Sequence, residues 1–365
     1  MAPTWLAALL ATLLMQTVAT FLSQVVPVVA PILTAELGVR PEAVGNFSSL
    51  STLGAILFLL FGTPLVARFG PARVLQAGTI LGAAALALAG SGVAATLPLA
   101  AMLMGIGYGP TGPAGSRILQ ATAPPRHRVA LAVAITLALL AVLLLQPMRR
   151  SLDAERDPAV RLRDAFRWRR LGTPLAALRA HPVLPPLTLQ AFAFASLQGC
   201  LFSFTVTWLV EARGMTLTAA GTVFAVIQVA GVIGRLLLGW AADRIGDAMR
   251  SLAVHGVVAA ALSALWVLAG PGAGWGVALI LAALCGFTAA SWNGIFLAEV
   301  ARVAPPNRVA EASSGAILLC FLGYLLAPSA FALAVTLTGS WVAPFLAACV
   351  LLAVVSALVG VWRRG

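Results

Sequence analysis

The sequence predicts an all-α integral membrane protein made of two pseudo-symmetric helical bundles. Three observations carry that expectation: a composition too apolar for a soluble domain, apolar runs at the length of a membrane crossing, and loop sequences that occur twice. Of 365 residues, 61% are hydrophobic and 9% charged. Soluble domains carry about 25% charged residues, so a soluble enzyme is excluded. Disorder is excluded as well, because it requires low hydrophobicity and high net charge.

Eleven apolar runs follow one another along the chain. They are Trp5–Leu33, Val44–Val66, Val74–Ala94, Leu97–Ala121, Val129–Gln146, Val183–Val210, Leu217–Ala242, Leu252–Ala269, Trp275–Val300, Val309–Leu337 and Trp341–Trp362. Each suits a helix crossing about 30 Å of hydrocarbon. They are rich in Ala, Leu, Val and Gly and show no alternation of polarity, which argues against a β-barrel. The first run has no basic leader and is too long for a signal peptide, so it reads as a first span. The four cysteines fall inside apolar runs and read as small buried hydrophobes rather than a disulfide framework.

One long polar stretch, Met148–Pro182, divides the chain. Residues 1–147 are expected to form an N-terminal bundle, 148–182 a basic cytoplasmic linker and 183–365 a C-terminal bundle. The linker reads either as an interfacial amphipathic helix, with Phe166 and Trp168 toward lipid, or as a solvated charged loop.

Two loop sequences are duplicated. Gly239-Trp-Ala-Ala-Asp243-Arg244-Ile-Gly246, followed by Arg250, echoes Thr63-Pro-Leu-Val-Ala67-Arg68-Phe-Gly70, followed by Arg73, 176 positions earlier. Ala304-Pro-Pro-Asn-Arg308-Val-Ala echoes Ala123-Pro-Pro-Arg-His-Arg128-Val-Ala at an offset of 180 to 181. Two matched loops at nearly one offset indicate duplicated halves. The repeat also implies one helix fewer in the first half, where a single run, Val129–Gln146, follows the second echo.

The net charge is +12 and all 23 basic residues are arginine. They sit between apolar runs, so the charge points to membrane topology rather than to nucleic acid. With the N-terminus inside and both halves in the same orientation, every arginine but Arg40 and Arg213 lies on or near the cytoplasmic side. That arrangement requires Val129–Gln146 not to cross alone. Arginine without lysine in an Ala-rich chain points to a GC-rich bacterial gene, hence to a bacterial cytoplasmic membrane.

No catalytic or metal signature occurs: no HExxH, GxSxG, Walker loop or Cys/His metal spacing. Neither an enzyme nor a cofactor is expected. Gly105-Ile-Gly107-Tyr-Gly109 lies in an apolar run and reads as close helix packing, as does the pair Gly78 and Gly82. Polar residues inside spans are the candidates for a solute path or for interhelical contacts. Gln16, Thr20, Ser23 and Gln24 make a stripe in the first span; Gln198, Thr205 and Trp208 make one after the linker; Thr288, Ser291, Trp292 and Asn293 make a third. Tyr108 is the fourth span's candidate. Arg235, an intramembrane cation seven residues beyond Gln228, needs a structural or functional partner. Asp243 and Arg244, just past a helix end, suit a pair that latches one conformation.

The two halves, the basic linker and the G-x-x-x-D-R-x-G of Gly239, Asp243, Arg244 and Gly246 resemble the major facilitator superfamily. Arg117 resembles that family's fourth-helix arginine, and Arg68, Gly70 and Arg73 resemble its first-half loop, in which Ala67 stands in the Asp position. The resemblance implies a secondary transporter of a small solute (organic anion, metabolite or drug) working by rocker-switch alternating access. It further implies a central cavity, lipid and solute as partners, a proton or other ion as a coupling partner, and a monomer. It also identifies the absent element as the fifth helix. A non-transporting membrane relative, acting in binding or as a scaffold, is the alternative.

Overall fold

The computed structural model describes residues 22–110, 172–269, 274–305 and 308–362. Val129–Gln146 and most of the linker lie outside the described residues, as do Gln16, Thr20 and Arg117. The chain divides into two compact units, Met1–Val26 with Leu50–Trp168 and Pro27–Ser49 with Arg169–Gly365. Eight described stretches are long and apolar enough to cross a membrane.

In the first unit the helices are the start of α1 (Leu22–Leu37), most of α2 (Val44–Phe61), α3 (Thr63–Phe69), α4 (Pro71–Ala89) and α5 (Leu97–Tyr108). The sequence predicted one span over Val44–Val66. The helix instead stops at Phe61, because Pro64 has no N–H to continue the ladder and the backbone tightens to a Leu65 N–H to Gly62 C=O bond of 2.9 Å. Glycines set the spacing of this unit. A Cβ on Gly78 would lie 2.5 Å from the Gly107 carbonyl, and one on Gly107 2.5 Å from that of Gly78. These small residues let α4 and α5 meet backbone to backbone, as the glycine pattern predicted.

The second unit contains α6 (Gly172–Ala177), α7 (Leu184–Glu211), α8 (Leu217–Ile245), α9 (Ala248–Ala269), α10 (Trp275–Ala289), α11 (Asn293–Val303), α12 (Val309–Thr338) and α13 (Val342–Trp362). Helix α7 is the centre: 89% of its apolar window is buried, against 28–50% for the other spans of the unit. It packs mainly on α12 and α13. A Cβ on Gly323 would meet the Phe192 carbonyl at 2.5 Å, and one on Gly199 would meet Tyr324 at 3.0 Å, so α7 and α12 cross at van der Waals contact. The residues Pro27–Ser49 belong to this unit. Their tip is held by Thr336 donating to Glu42 at 2.9 Å and Ser329 donating to Asn46 at 3.2 Å. The four cysteines are buried and free.

Candidate functional site

The apolar run Trp275–Val300 is not one helix. It breaks between Ala289, where α10 ends, and Asn293, where α11 begins. No proline marks the place. Ser291 Oγ instead folds back onto the Phe287 carbonyl at 2.6 Å, a local bond that competes with the helical ladder. In the other unit α5 ends at Tyr108, 181 positions before Ala289, so both copies of this helix stop at the same place in the repeat.

The break leaves backbone carbonyls that need partners, and side chains from neighbouring helices supply them. Arg235 on α8 donates its Nε to the Ala290 carbonyl at 2.9 Å. That carbonyl is at the C-terminal end of α10, where the helix dipole is negative, so the cation is doubly favoured. The approach is possible because Gly234 of α8 lies against the backbone of Phe287 and the side chain of Ser291. His255 on α9 meets the Thr288 carbonyl through Nε2 at 2.7 Å. A carbonyl cannot donate, so the ring carries its hydrogen on Nε2. Ser291 Oγ lies 3.4 Å from the same nitrogen.

Trp292, fully buried, sits in the break. Its Nε1 donates to Gln198 Oε1 at 2.9 Å, and the Tyr324 hydroxyl donates to the same oxygen at 2.7 Å. One amide oxygen on α7 thereby uses both lone pairs to hold α12 and the α10–α11 break. Phe194, one helical turn before Gln198, stacks on Trp292 at 5.3 Å and meets the edge of His255 at 5.3 Å. A further turn back, Gln190 Nε2 donates to the Leu252 carbonyl at 2.7 Å and to Ser356 at 3.3 Å. Gln190, Phe194 and Gln198 thus form one continuous stripe down the buried helix. Two buried atoms along it, Gln190 Oε1 and His255 Nδ1, have no hydrogen-bond partner among the described residues.

The sequence candidates divide clearly. Gln198, Arg235 and Trp292 come together at the break, with Asn293 opening α11 beside them. Trp208 does not join them. It is fully buried in core, edge-on to Trp266 at 5.1 Å and Phe345 at 5.4 Å, with Arg213 over its ring. Gln228 is half-buried, two turns of α8 before Arg235. Gln24 and Tyr108 are half-buried in the first unit, and Gln24 Oε1 has no partner among the described residues. In the duplicated loop, Gly70 and Gly246 both take positive φ, 90° and 71°. Arg244 lies over the ring of Trp240 at 4.1 Å and Arg68 over that of Phe69 at 5.5 Å. Arg73 is half-buried; Arg250 is exposed, and its backbone N–H bonds the Asp247 carboxylate at 3.0 Å. Gly239 lies within the uninterrupted helix α8, as does Asp243, whose side chain lies outside the described part of the molecule.

Sequence reasoning missed Gln190, His255, Tyr324 and Glu299. Gln190 shares the α7 face of Gln198, eight positions away, and that spacing was the available signal. His255, a lone imidazole in an apolar run, was equally visible. Glu299 is a carboxylate near the end of an apolar run, where a membrane interface is the simplest expectation. Instead it is 2% exposed and accepts both Nε and a terminal nitrogen of Arg302 at 2.6 Å, a bidentate pair made at helical i,i+3 spacing. No group of three or more metal-ligating side chains occurs among the described residues.

Apolar helices of membrane-crossing length, one of them broken and tied through polar side chains, define a multi-pass membrane protein. The comparisons name the family: the Major Facilitator Superfamily matches residues 9–135 and 128–328, and the chain belongs to it. Its fold is similar to the inward-facing, unoccupied bacterial homolog of the human lysosomal transporter Spinster, with a TM-score of 0.73 and 15% identity over 99% of this chain and 97% of that one. A variant of the nucleoside transporter NupG gives 0.69 and 15%, covering 97% of this chain and 98% of that one. The human organic anion transporter TETRAN gives 0.66 and 18%, covering 98% and 100%. Among curated proteins, no sequence matches.

Proposed function

We propose that the chain is a secondary transporter of a small polar solute, that the α10–α11 break forms part of the solute path, and that the halves alternate by rocker-switch motion. The break carries this reading. Discontinuous helices in transporters present free backbone groups to solute, and are tolerated only where protein or a wet cavity satisfies them. Here the break is ringed by an amide, an indole, an imidazole and one guanidinium, groups that recognise hydrogen-bonding solutes. Arg235 favours an anion among them, and the similar structures include transporters of nucleosides and organic anions. By the same reading Gln16, Thr20, Gln24, Tyr108 and Gln228 contribute from the other spans, and Trp208 acts as core support. Asp243, Arg244 and Arg117 serve as the conformational latch. The positive-inside pattern supports a bacterial inner-membrane location with the N-terminus and linker cytoplasmic, and the chain is read as a monomer.

The experiment is uptake into proteoliposomes of purified protein, with nucleosides, hexoses and organic anions offered in turn under a proton gradient. Saturable uptake of one class supports the reading. Gln198→Leu strips the acceptor from two donors and should lower stability by about 2 kcal/mol or more, and it should reduce uptake beyond the loss of folded protein. Uptake by none of the classes, from protein shown to be inserted and folded, favours the non-transporting relative.

A further inference from the structure

A groove of about 750 Å³ runs along the outer side of the α9–α13 helix pair, away from the broken helix. It is lined by Val254, Val257 and Val258 of α9, by Val359 and Val361 of α13, and by the small residues Ala253, Ala357 and Gly360. Val254, Val257, Val258 and Val361 are exposed, between 42% and 67%. Only one end is charged, and it carries Asp247 and Arg250.

Two physical features identify the occupant. From Asp247 to Val258 is about 16 Å of helix at 1.5 Å per residue. That is close to the depth of one bilayer leaflet, half of the roughly 30 Å core. The groove therefore begins at the polar boundary and ends near the midplane, which is the reach of one acyl chain. At the boundary, Asp247 directs an oxygen onto the backbone N–H of Arg250 as a helix cap. The exposed guanidinium of Arg250 is then the group presented to a headgroup, and a guanidinium suits a phosphodiester in a two-donor fork.

We propose that the α9–α13 groove binds a glycerophospholipid from the cytoplasmic leaflet, with one acyl chain along the valines and the phosphate on Arg250. The valines supply affinity without headgroup selectivity; Arg250 reads the phosphate. The proposal gives Arg250 a role in lipid binding instead of in the conformational latch, and it stands or falls independently of the solute reading.

Native mass spectrometry of the purified full chain tests it, with three probes: palmitoyl-oleoyl phosphatidylethanolamine, palmitoyl-oleoyl phosphatidylglycerol and dioleoylglycerol, which lacks the phosphate. One molecule of either phospholipid should survive activation that strips the rest, whereas dioleoylglycerol should not. Arg250→Ala should lower retention about fivefold, one basic residue's share of headgroup attraction. Arg250→Lys should restore most of it. Ala357→Phe, at an exposed position lining the groove, should block it in protein of unchanged thermal stability. Equal retention of dioleoylglycerol, or wild-type retention in both Arg250→Ala and Ala357→Phe, would overturn the proposal.

Discussion

The two copies of the duplicated loop solve one problem with different backbones. In the second copy α8 runs unbroken from Leu217 to Ile245, Gly246 turns it with φ 71° and ψ 0°, and Asp247 caps the next helix. In the first copy the helix has already stopped at Phe61, and the short α3 leads to Gly70 at φ 90° and ψ 152°. Gly70 ends α3 and opens α4 with no residue between them. Where the second half divides the reversal between a left-handed glycine and an aspartate, the first half places it on one glycine alone. Duplication preserved the glycine and let the helix before it diverge, because the turn has a narrow conformational requirement and the helix end does not.

That comparison is broken most severely by moving the proline. Trp240 occupies the position 176 residues after Pro64, deep in α8 but 57% exposed, so its replacement removes little packing. Trp240→Pro should cost about 3 kcal/mol, the penalty for proline in a helix interior. Pro64→Ala should be nearly silent, because Pro64 lies in the first turn of α3, where its missing N–H has no intrahelical partner. The measurement is the temperature at which purified protein stops eluting as a single species. Equal shifts for the two variants would mean that the helix break is not the proline's doing.

The glycines come next. Gly70 lies in a region of φ and ψ almost closed to other residues, so Gly70→Ala should cost about 2 kcal/mol or more. Gly246 lies in the ordinary left-handed region, where alanine costs about 1 kcal/mol. No heavy atom stands within 4 Å of a Cβ on Gly246, so that loss would be conformational alone. Thermal unfolding of the two variants in the same detergent should rank Gly70→Ala below Gly246→Ala.

These positions also show what sequence makes legible. The repeat, the helical class and the turn glycines could be read directly, because a left-handed turn restricts residue type and a membrane span restricts composition. The glycine contacts of α4 with α5 were likewise foreshadowed by spacing. The break at Ala290–Trp292 was not. Its residues remain apolar or small, the local Ser291 bond has no distinctive sequence pattern, and the groups that hold the interrupted helix, Arg235, His255 and Gln198, come from other helices. Gln198 and Tyr324 are 126 positions apart, Thr336 and Glu42 are 294, and pairing over such distances is fixed by packing rather than by periodicity. Trp208 and Trp292 looked alike in sequence, yet one is core and the other occupies the break, because the partners that distinguish them belong to other helices.

The smallest expected difference separates the two arginines. Arg244 lies over the larger indole at 4.1 Å, Arg68 over a phenyl ring at 5.5 Å. Cation–π attraction is strongest for tryptophan and falls with distance, and exposed pairs contribute about 0.5–1 kcal/mol. Arg244→Gln should therefore lower stability by about 0.5 kcal/mol, and Arg68→Gln by less. The double variant Arg244→Gln with Trp240→Leu separates this from a latch. If the ring contact is all that Arg244 does, the arginine's effect vanishes once Trp240 is gone. If Arg244 also holds a conformational pair with Asp243, a cost persists without the ring, and it should be matched by Asp243→Asn on the Trp240→Leu background.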